Sequence, residues 1–178
     1  MVEIETDELL ATLEAPLNRY ATRLLGGDAD RAREVVQETF YRWVRETTQT
    51  PDGREKIRGH EREWLYTVCR RQCIDIRRKE QPMTPLTEPI AEGLSESSGG
   101  GRRSSNVLSA PQRVENQETI SRALKAMETL PDHQQEVLRL KFHDELSYKE
   151  IATVTGLTVG NIGFLIHTGL KHIRDQIA

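Results

Sequence analysis

A stretch near the end of the chain carries the signals for two short helices joined by a tight turn. Ser147 is followed three residues later by Glu150, which is the spacing of a capping box and predicts the start of a helix. Gly156 suits the end of that helix, because glycine accepts the positive φ of a C-terminal cap. Thr158 then stands where the next helix needs an N-cap. This order of signals is typical of a helix-turn-helix, which most often places its second helix in a DNA groove.

The helix that follows Thr158 has an apolar face at helical spacing. Its members are Val159, Ile162, Ile166, Leu170, Ile173 and Ile177. The same periodicity recurs upstream, and it is clearest between Ala32 and Val44. With only 12 glycines and 3 phenylalanines in 178 residues, a β-sandwich is disfavoured. We therefore predict an all-α fold in which each helix buries one face and leaves the other free.

Helical patterns fill most of residues 6–80 and of residues 117–178. Residues 81–116 differ, because they contain four prolines, a Ser/Gly run and few large apolar side chains. Such a stretch cannot bury enough surface to offset its chain entropy. We predict two small helical domains, at 6–80 and 117–178, joined by a flexible linker at 81–116. The first helix of the second domain carries Ile120, Leu124, Met127 and Leu130 at core spacing. In the next helix the predicted core residues are Val137, Leu138 and Leu140.

Positive charge is concentrated in one internal segment, although the net charge of the chain is −3. Residues 54–79 carry 9 basic and 4 acidic side chains, and such a cluster sets the local potential whatever the total. Its arginines are interleaved with Trp64 and Tyr66. Phosphate neutralisation together with aromatic stacking suits unpaired nucleic-acid bases. The alternative is an ordinary charged helix with Trp64 in the core.

The helix around residues 32–44 has a polar side opposite its apolar stripe. That side carries Glu34, Gln37, Glu38, Tyr41 and Arg45. It is either a solvated face or a docking surface on which charge and amide hydrogen bonds orient a partner helix.

The sequence offers no signs of an enzyme, a metal site or a membrane protein. Cys69 and Cys73 lie one helical turn apart, which is poor geometry for a disulfide and fits a reduced, cytoplasmic location. Their spacing from His60 matches no common zinc pattern. We find no phosphate-binding glycine loop, nucleophile elbow or carboxylate pair. No apolar run reaches the ~18–20 residues that cross a bilayer. We expect no cofactor, no metal, no catalysis, no export and no membrane insertion.

Both halves of the chain resemble bacterial RNA polymerase sigma factors of the sigma-70 family, in the compact extracytoplasmic-function (ECF) group. Residues 32–43 resemble region 2.2, which binds the clamp helices of the polymerase β′ subunit, and residues 64–78 resemble the end of region 2, which faces the promoter −10 element. Residues 130–138 and 146–152 resemble region 4, whose recognition helix contacts the −35 element. The resemblance implies a region 2 helical bundle and a region 4 helix-turn-helix that initiate transcription without covalent chemistry.

The resemblance also implies roles for particular residues. Contacts with core polymerase fall on Asp30, Glu34, Gln37, Glu38 and Tyr41. Contacts with −10 DNA fall on Arg58, Arg62, Trp64, Arg70, Arg71, Arg77 and Arg78. Contacts with −35 DNA fall on Thr158, Gly160, Asn161, Phe164, Leu165, His167 and Lys171. The loop at 51–59 would approach the melted strand. Further partners would be the β flap of polymerase and an anti-sigma factor. The free protein would be a monomer.

The recognition helix departs from the family pattern. The family commonly carries Lys, Arg and Arg where this chain has Gly163, Leu165 and Thr168. Fewer phosphate contacts mean weaker binding, so we expect the second domain alone to bind DNA poorly and to gain affinity through its tether to the first. Glycines at 160, 163 and 169 each cost ~1 kcal/mol of helix stability against alanine.

Three alternatives to the sigma-factor hypothesis remain at this point. One is a sigma-like adaptor that titrates an anti-sigma factor, with residues 163–165 of the altered helix as a protein contact surface. Another is a stand-alone helix-turn-helix regulator, which would usually dimerise on a palindromic site. The third and weakest is an enzyme or metal-redox sensor that uses Cys69 and Cys73.

Overall fold

The computed structural model describes residues 2–50, 52–80 and 110–177, with side chains described from residue 8 in the first range and from residue 118 in the last. These residues form α-helices and no β-strand, so the predicted all-α class is confirmed. The helices are α1 (Val2–Leu24), α2 (Ala29–Gln49), α3 (Gly53–Ile57), α4 (Glu61–Glu80), α5 (Ala110–Glu128), α6 (Asp132–Phe142), α7 (Tyr148–Thr155) and α8 (Val159–Ile177).

The chain divides into two compact units. The first holds α1 to α4, and the second holds α5, α6, α8 and most of α7. Most of the predicted linker lies outside the described residues, but α5 already begins at Ala110, inside the range 81–116 that was assigned to it. Pro111 falls in the first turn of α5, where the missing N–H leaves no helical hydrogen bond unmade.

The first unit is built on the apolar faces of α1, α2 and α4. Helix α1 ends at Leu24 and is followed by Gly26 and Gly27, both at positive φ. Asp28 then caps α2 by accepting a hydrogen bond from the Arg31 backbone N–H at 3.0 Å. The predicted stripe of α2 is buried apart from Phe40, which is half-buried, and Val44 at its end, which is exposed. The buried side chains are Leu13, Leu17, Tyr20 and Ala21 of α1, Ala32, Val35, Val36, Thr39 and Trp43 of α2, and Leu65, Tyr66, Cys69 and Cys73 of α4.

The segment predicted as a loop at 51–59 contains a short helix, α3, so that part of the prediction was wrong. Gly53 begins α3 and is buried directly beneath the last turns of α2. A Cβ atom at this position would lie 2.1 Å from the backbone oxygen of Glu46. Only glycine at position 53 therefore allows α3 to turn back so tightly against α2. Gly59, at positive φ, ends the segment.

The second unit buries α8 against α5 and α6 through Ile162, Ile166 and Gly169. At Gly169 a Cβ atom would lie 2.8 Å from Cδ1 of Leu138, so this glycine permits close contact between α8 and α6. Because the buried face is centred there, Val159 and Leu170 lie at its edge and are exposed, contrary to the predicted stripe.

Of the four core positions predicted in and just after α5, Leu130 is buried and Met127 is half-buried, but the other two were wrong. Ile120 and Leu124 are 58% and 53% exposed, whereas the small Ala126 is buried. Ala126 lies about 200° around the helix from Leu124, so α5 packs through a face rotated away from its larger apolar side chains. The core of α6, formed by Val137, Leu138 and Leu140, is as predicted.

Two glycine variants test this packing in opposite directions. Gly53→Ala should lower the free energy of unfolding of the first unit by about 2 kcal/mol or more, because backbone must move to admit the methyl group.

Gly160→Ala should raise the free energy of unfolding of the second unit by up to ~1 kcal/mol, since no atom lies within 4 Å of the added carbon. Urea titration of the full chain separates the units, because Trp43 and Trp64 report only on the first and circular dichroism reports on both. Equal effects of the two substitutions would contradict the packing described for Gly53.

Candidate nucleic-acid and protein interfaces

The outward side of α2 is one continuous polar face. Burial of Val35, Val36 and Trp43 turns the opposite side of the helix to solvent. The five residues predicted to contact core polymerase are all exposed there: Asp30, Glu34, Gln37, Glu38 and Tyr41. The structure therefore brings this predicted set together on a single helix face.

Tyr41 is the residue of this face that a solvated helix does not explain. Its side chain is 61% exposed, although an aromatic ring gains most from burial. The charges around it are held by pairs within α2, since Arg42 donates to Glu38 at 2.7 Å and Arg33 donates to Asp30 at 2.9 Å. An exposed aromatic ring among ordered polar groups is typical of a protein-binding surface.

Polar contacts fix α2 against α4. The Gln72 side-chain amide donates to the Thr39 hydroxyl at 2.8 Å, and that hydroxyl donates to the Val35 backbone oxygen at the same distance. Arg31 and Glu80 form an ion pair between the start of α2 and the end of α4. Sequence reasoning missed the Thr39–Gln72 pair. Both residues fall on the apolar sides of their helices, and two inward polar residues are a usable signal for such a bond.

The arginines of α4 occupy two sides of the helix. Arg71 and Arg78 lie on one side and are exposed, and Arg78 lies 3.3 Å from Asp75 on the same helix. Arg62, Arg70 and Arg77 lie on the other side, where Arg62 and Arg70 are half-buried and Arg77, near the end of the helix, is exposed. Arg58, also exposed, follows α3. The predicted −10 set thus includes an exposed basic row and a second group that is partly covered.

Tyr66 does not provide the stacking surface that the sequence suggested. It is completely buried, with its ring 5.2 Å from that of Tyr20 on α1. The reason is its position beside Leu65 and Cys69 on the inward side of α4. Trp64 is half-buried on the outward row that includes Arg71 and Arg78, so it is the aromatic residue of this segment that retains some exposure.

The cysteines belong to the core of the first unit. Cys69 and Cys73 are free and buried. A hydrogen bond with Cys73 and then burial raise the pKa of the Cys69 thiol well above its ordinary value, so it stays protonated at neutral pH. Within the described residues, no group of three or more His, Cys, Asp or Glu side chains is placed to hold a metal ion.

The helix-turn-helix has the local geometry that its sequence predicts. The Ser147 hydroxyl accepts from the Glu150 backbone N–H at 3.2 Å, and the Glu150 carboxylate accepts from the Ser147 N–H at 2.7 Å. Gly156 ends α7 at a φ of 77°. The Thr158 hydroxyl accepts from the Asn161 N–H at 3.2 Å and so caps α8. The capping box and both caps are confirmed.

A sharp bend of 104° separates α7 from α8, which falls within the ~90–120° range of helix-turn-helix motifs. In the described part of the chain, no helix on its own is long and apolar enough to span a membrane, and this bent pair reaches that length and hydropathy only when its two helices are taken together.

The outward line of α8 contains four of the seven residues predicted to contact −35 DNA. Gly160, Phe164, His167 and Lys171 are exposed at spacings of four, three and four residues. The remaining three are less open to a ligand: Thr158 serves as a cap, and Asn161 and Leu165 are half-buried on the flank nearer the core.

Gln134 of α6 holds the middle of α8. Its amide donates to the Leu165 backbone oxygen at 3.1 Å and to the Thr168 hydroxyl at 2.6 Å. His172, nearer the end of α8, lies 3.0 Å from the Thr129 hydroxyl. Sequence reasoning missed both interactions, because a polar residue in an amphipathic helix gives no signal of which neighbour it will reach.

Comparison with known protein families gives two matches along the chain. The model of sigma-70 region 2 matches residues 9–82, and that of sigma-70 region 4 matches residues 120–173. The ECF RNA polymerase sigma factor SigW of Bacillus subtilis is 29% identical over 153 residues, which cover 85% of this chain and 78% of that protein. SigL of Mycobacterium tuberculosis, another ECF sigma factor, is 29% identical over 163 residues, covering 90% and 81%. SigM of Bacillus subtilis is 26% identical over 147 residues, covering 83% and 80%.

The buried thiols predict resistance to cysteine reagents. In the folded protein neither Cys69 nor Cys73 should react with a disulfide-exchange reagent, because both thiols are buried. Raising the pH through the ordinary thiol range near 9.0 should not start the reaction of Cys69, because its raised pKa delays thiolate formation. Both thiols should react in urea, and a Cys69→Ser/Cys73→Ser variant gives the background. Rapid labelling of the native protein at neutral pH would refute this account.

Proposed function

The chain belongs to the sigma-70 family as an ECF-type sigma factor, and we propose that its helical units act on one promoter through the surfaces described above. A sigma factor of this kind directs transcription initiation and has core RNA polymerase and promoter DNA as its partners. It is a regulatory initiation factor and not a classical enzyme. Action beside core polymerase would place it in the cytoplasm. The observation that carries this assignment is the presence of both regions, in order, on one chain.

We propose that the α2 face binds the clamp helices of the polymerase β′ subunit. The exposed ring of Tyr41 would supply the apolar anchor, and Glu34, Gln37 and Glu38 would orient the partner. Asp30 extends the same face towards the start of α2. The Gln72–Thr39 hydrogen bond supports this role, because it holds α2 in place from its buried side.

The −10 element would be bound by the arginines of α4 and the preceding turn. Arg71, Arg77 and Arg78 are exposed for phosphate contacts, while Arg58, Arg62, Trp64 and Arg70 complete the proposed set. Melting would come from capture of unpaired bases, whose binding offsets the cost of unstacking. The segment that contains α3 would lie beside the melted strand.

The −35 element would be bound by α8, whose outward line includes Phe164, His167 and Lys171. The β flap would bind the second unit elsewhere. Ile120 and Leu124 of α5 and Phe142 at the end of α6, which is 59% exposed, are apolar side chains without burial in this unit and suit such a contact. The domain limits 6–80 and 117–178 and the linker between them remain part of this proposal.

An anti-sigma factor is a further proposed partner, since it would act by covering the same surfaces. The adaptor and the stand-alone regulator are not favoured, because the relatives that match across most of the chain are RNA polymerase sigma factors. The free protein is proposed to be a monomer.

Reconstituted transcription tests the assignment. Core RNA polymerase with this chain should produce new discrete run-off transcripts from fragmented genomic DNA of its own source, which core polymerase alone does not produce.

A Glu34→Lys/Glu38→Lys variant should bind core polymerase at least about tenfold more weakly, since charge reversal within an interface costs more than ~1.4 kcal/mol. Glu8→Lys/Glu14→Lys carries the same charge change on exposed positions of α1 and is the control. Unchanged core binding by the first variant would reject the α2 face, and absence of core binding by the natural chain would reject the function.

Salt dependence tests the role of α4. Removing one arginine that binds a phosphate should reduce the slope of log affinity against log salt concentration by about 0.9 on duplex DNA or 0.7 on single strands. Arg71→Ala and Arg77→Ala should each show this change when the assembled polymerase binds a promoter. Arg19→Ala, on an exposed position of α1, should leave the slope unaltered. A uniform decrease in affinity with an unchanged slope would show that these arginines do not bind phosphate.

A further inference from the structure

The outward line of α8 has an unusual composition for a helix that meets DNA. Phe164 is 44% exposed, and it lies on the side of α8 opposite the buried Ile162 and Ile166. A phenylalanine in that position adds nothing to the core of the unit. The outward line of α8 therefore presents an apolar ring to whatever the helix faces.

The strongly basic residues lysine and arginine are absent from this part of α8. Between residues 159 and 170 there is no lysine or arginine, and the first one is Lys171. At 1.5 Å per residue, Lys171 lies about 18 Å along the helix axis from Val159. The N-terminal residues of a recognition helix are those that contact base edges, and bidentate contacts of arginine or lysine are the commonest way to select guanine. A lysine or arginine contact with guanine is therefore missing from the first turns of α8, where base edges would be contacted.

The glycines beside Phe164 leave room for close approach. A Cβ atom at Gly160 would meet no atom within 4 Å, and one at Gly163 would meet only Cε2 of Tyr148 at 3.8 Å. Phe164 is thus the largest exposed side chain on this part of α8, where its glycine neighbours have no side chains of their own. A ring in such surroundings can reach the floor of a major groove, where the C5 methyl group of thymine is the apolar feature available for contact.

From these observations we infer that α8 selects A·T base pairs in the −35 element, with Phe164 packed on a thymine methyl group. The inference rests on the proposed function, in which α8 occupies the major groove of the promoter. Asn161, half-buried on the flank of the same turn, carries an amide suited to adenine. Lys171 and Arg174 remain for phosphates near the far end of the helix. The charge at that end and the intact turn before α8 favour DNA over a protein as the occupant of this surface.

Selection from a randomised library is the first part of the test. Polymerase assembled with the full chain is given templates that carry random base pairs in the −35 region, and the transcribed templates are sequenced. We expect enrichment of A·T pairs at adjacent positions, with no obligatory guanine. An obligatory G·C pair at the positions that face the start of α8 would overturn the inference while leaving the sigma-factor function intact.

Removal of the methyl group isolates the interaction. Each selected thymine is replaced in turn by deoxyuridine, which keeps the base pairing and lacks only the C5 methyl. At one position the promoter affinity of the natural chain should fall about fourfold, the ratio expected for one methyl group returned to water. Phe164→Ala should weaken binding to the thymine promoter by at least as much and show no further decrease with deoxyuridine, as coupled partners do in a double-mutant cycle. His167→Ala, on the same outward line, should keep the full sensitivity to the methyl group.

The outcomes separate the possible roles of Phe164. If no deoxyuridine replacement affects the natural chain, Phe164 does not pack on a thymine methyl group, and this result requires no variant to fold. If Phe164→Ala reduces transcription equally on every template, the residue binds a protein and the inference fails. If the natural chain produces no transcripts on any template, the proposed function fails as well.

Discussion

Burial of one face on each short helix sets the direction of every surface that the molecule offers. In α2 the inward positions of Val35, Val36 and Trp43 require Glu34, Gln37 and Tyr41 to point outward. In α8 the buried Ile162 and Ile166 do the same for Phe164 and His167. Because a helix turns about 100° per residue, a change of one position in the packing register would exchange functional and structural side chains. The close fit at Gly53 and Gly169 resists such a change.

Local chemistry made much of the structure predictable. Capping residues such as Ser147 and Thr158 act within a few residues of themselves, so their bonds follow from the order of amino acids. The outward face of α2 followed equally well from periodicity. The failures at Tyr66 and Leu124 have a different origin. Each depended on which side of a helix a distant neighbour covers, and residues 61–80 and 118–128 carry apolar groups on more than one side. The Gln134–Leu165 hydrogen bond likewise joins residues that are 31 apart, which no local signal specifies.

The two units differ in how much of their binding can come from charge. The first combines an acidic face on α2 with an exposed basic row on α4, so it can engage a protein and a polyanion from separate helices. The second has few cations on α8, and contacts of apolar groups and amides with bases are weaker than charge-assisted ones. Its occupancy of DNA would therefore depend on the local concentration that the connection to the first unit creates. Strength of promoter binding would then be a property of the assembled polymerase more than of either unit.

The attachment of α8 to α6 through Gln134 has a mechanical consequence. The two hydrogen bonds from that amide attach the middle of α8, at Leu165 and Thr168, to α6. Gly169 lets the axes of α8 and α6 approach closely. Helix α6 ends at Phe142, whose ring is exposed at the surface. A partner that binds this ring and displaces it would tilt α6, and α8 would move with α6 because these hydrogen bonds join the two helices. Small movements imposed at the end of α6 would in that way be converted into a change in the orientation of α8.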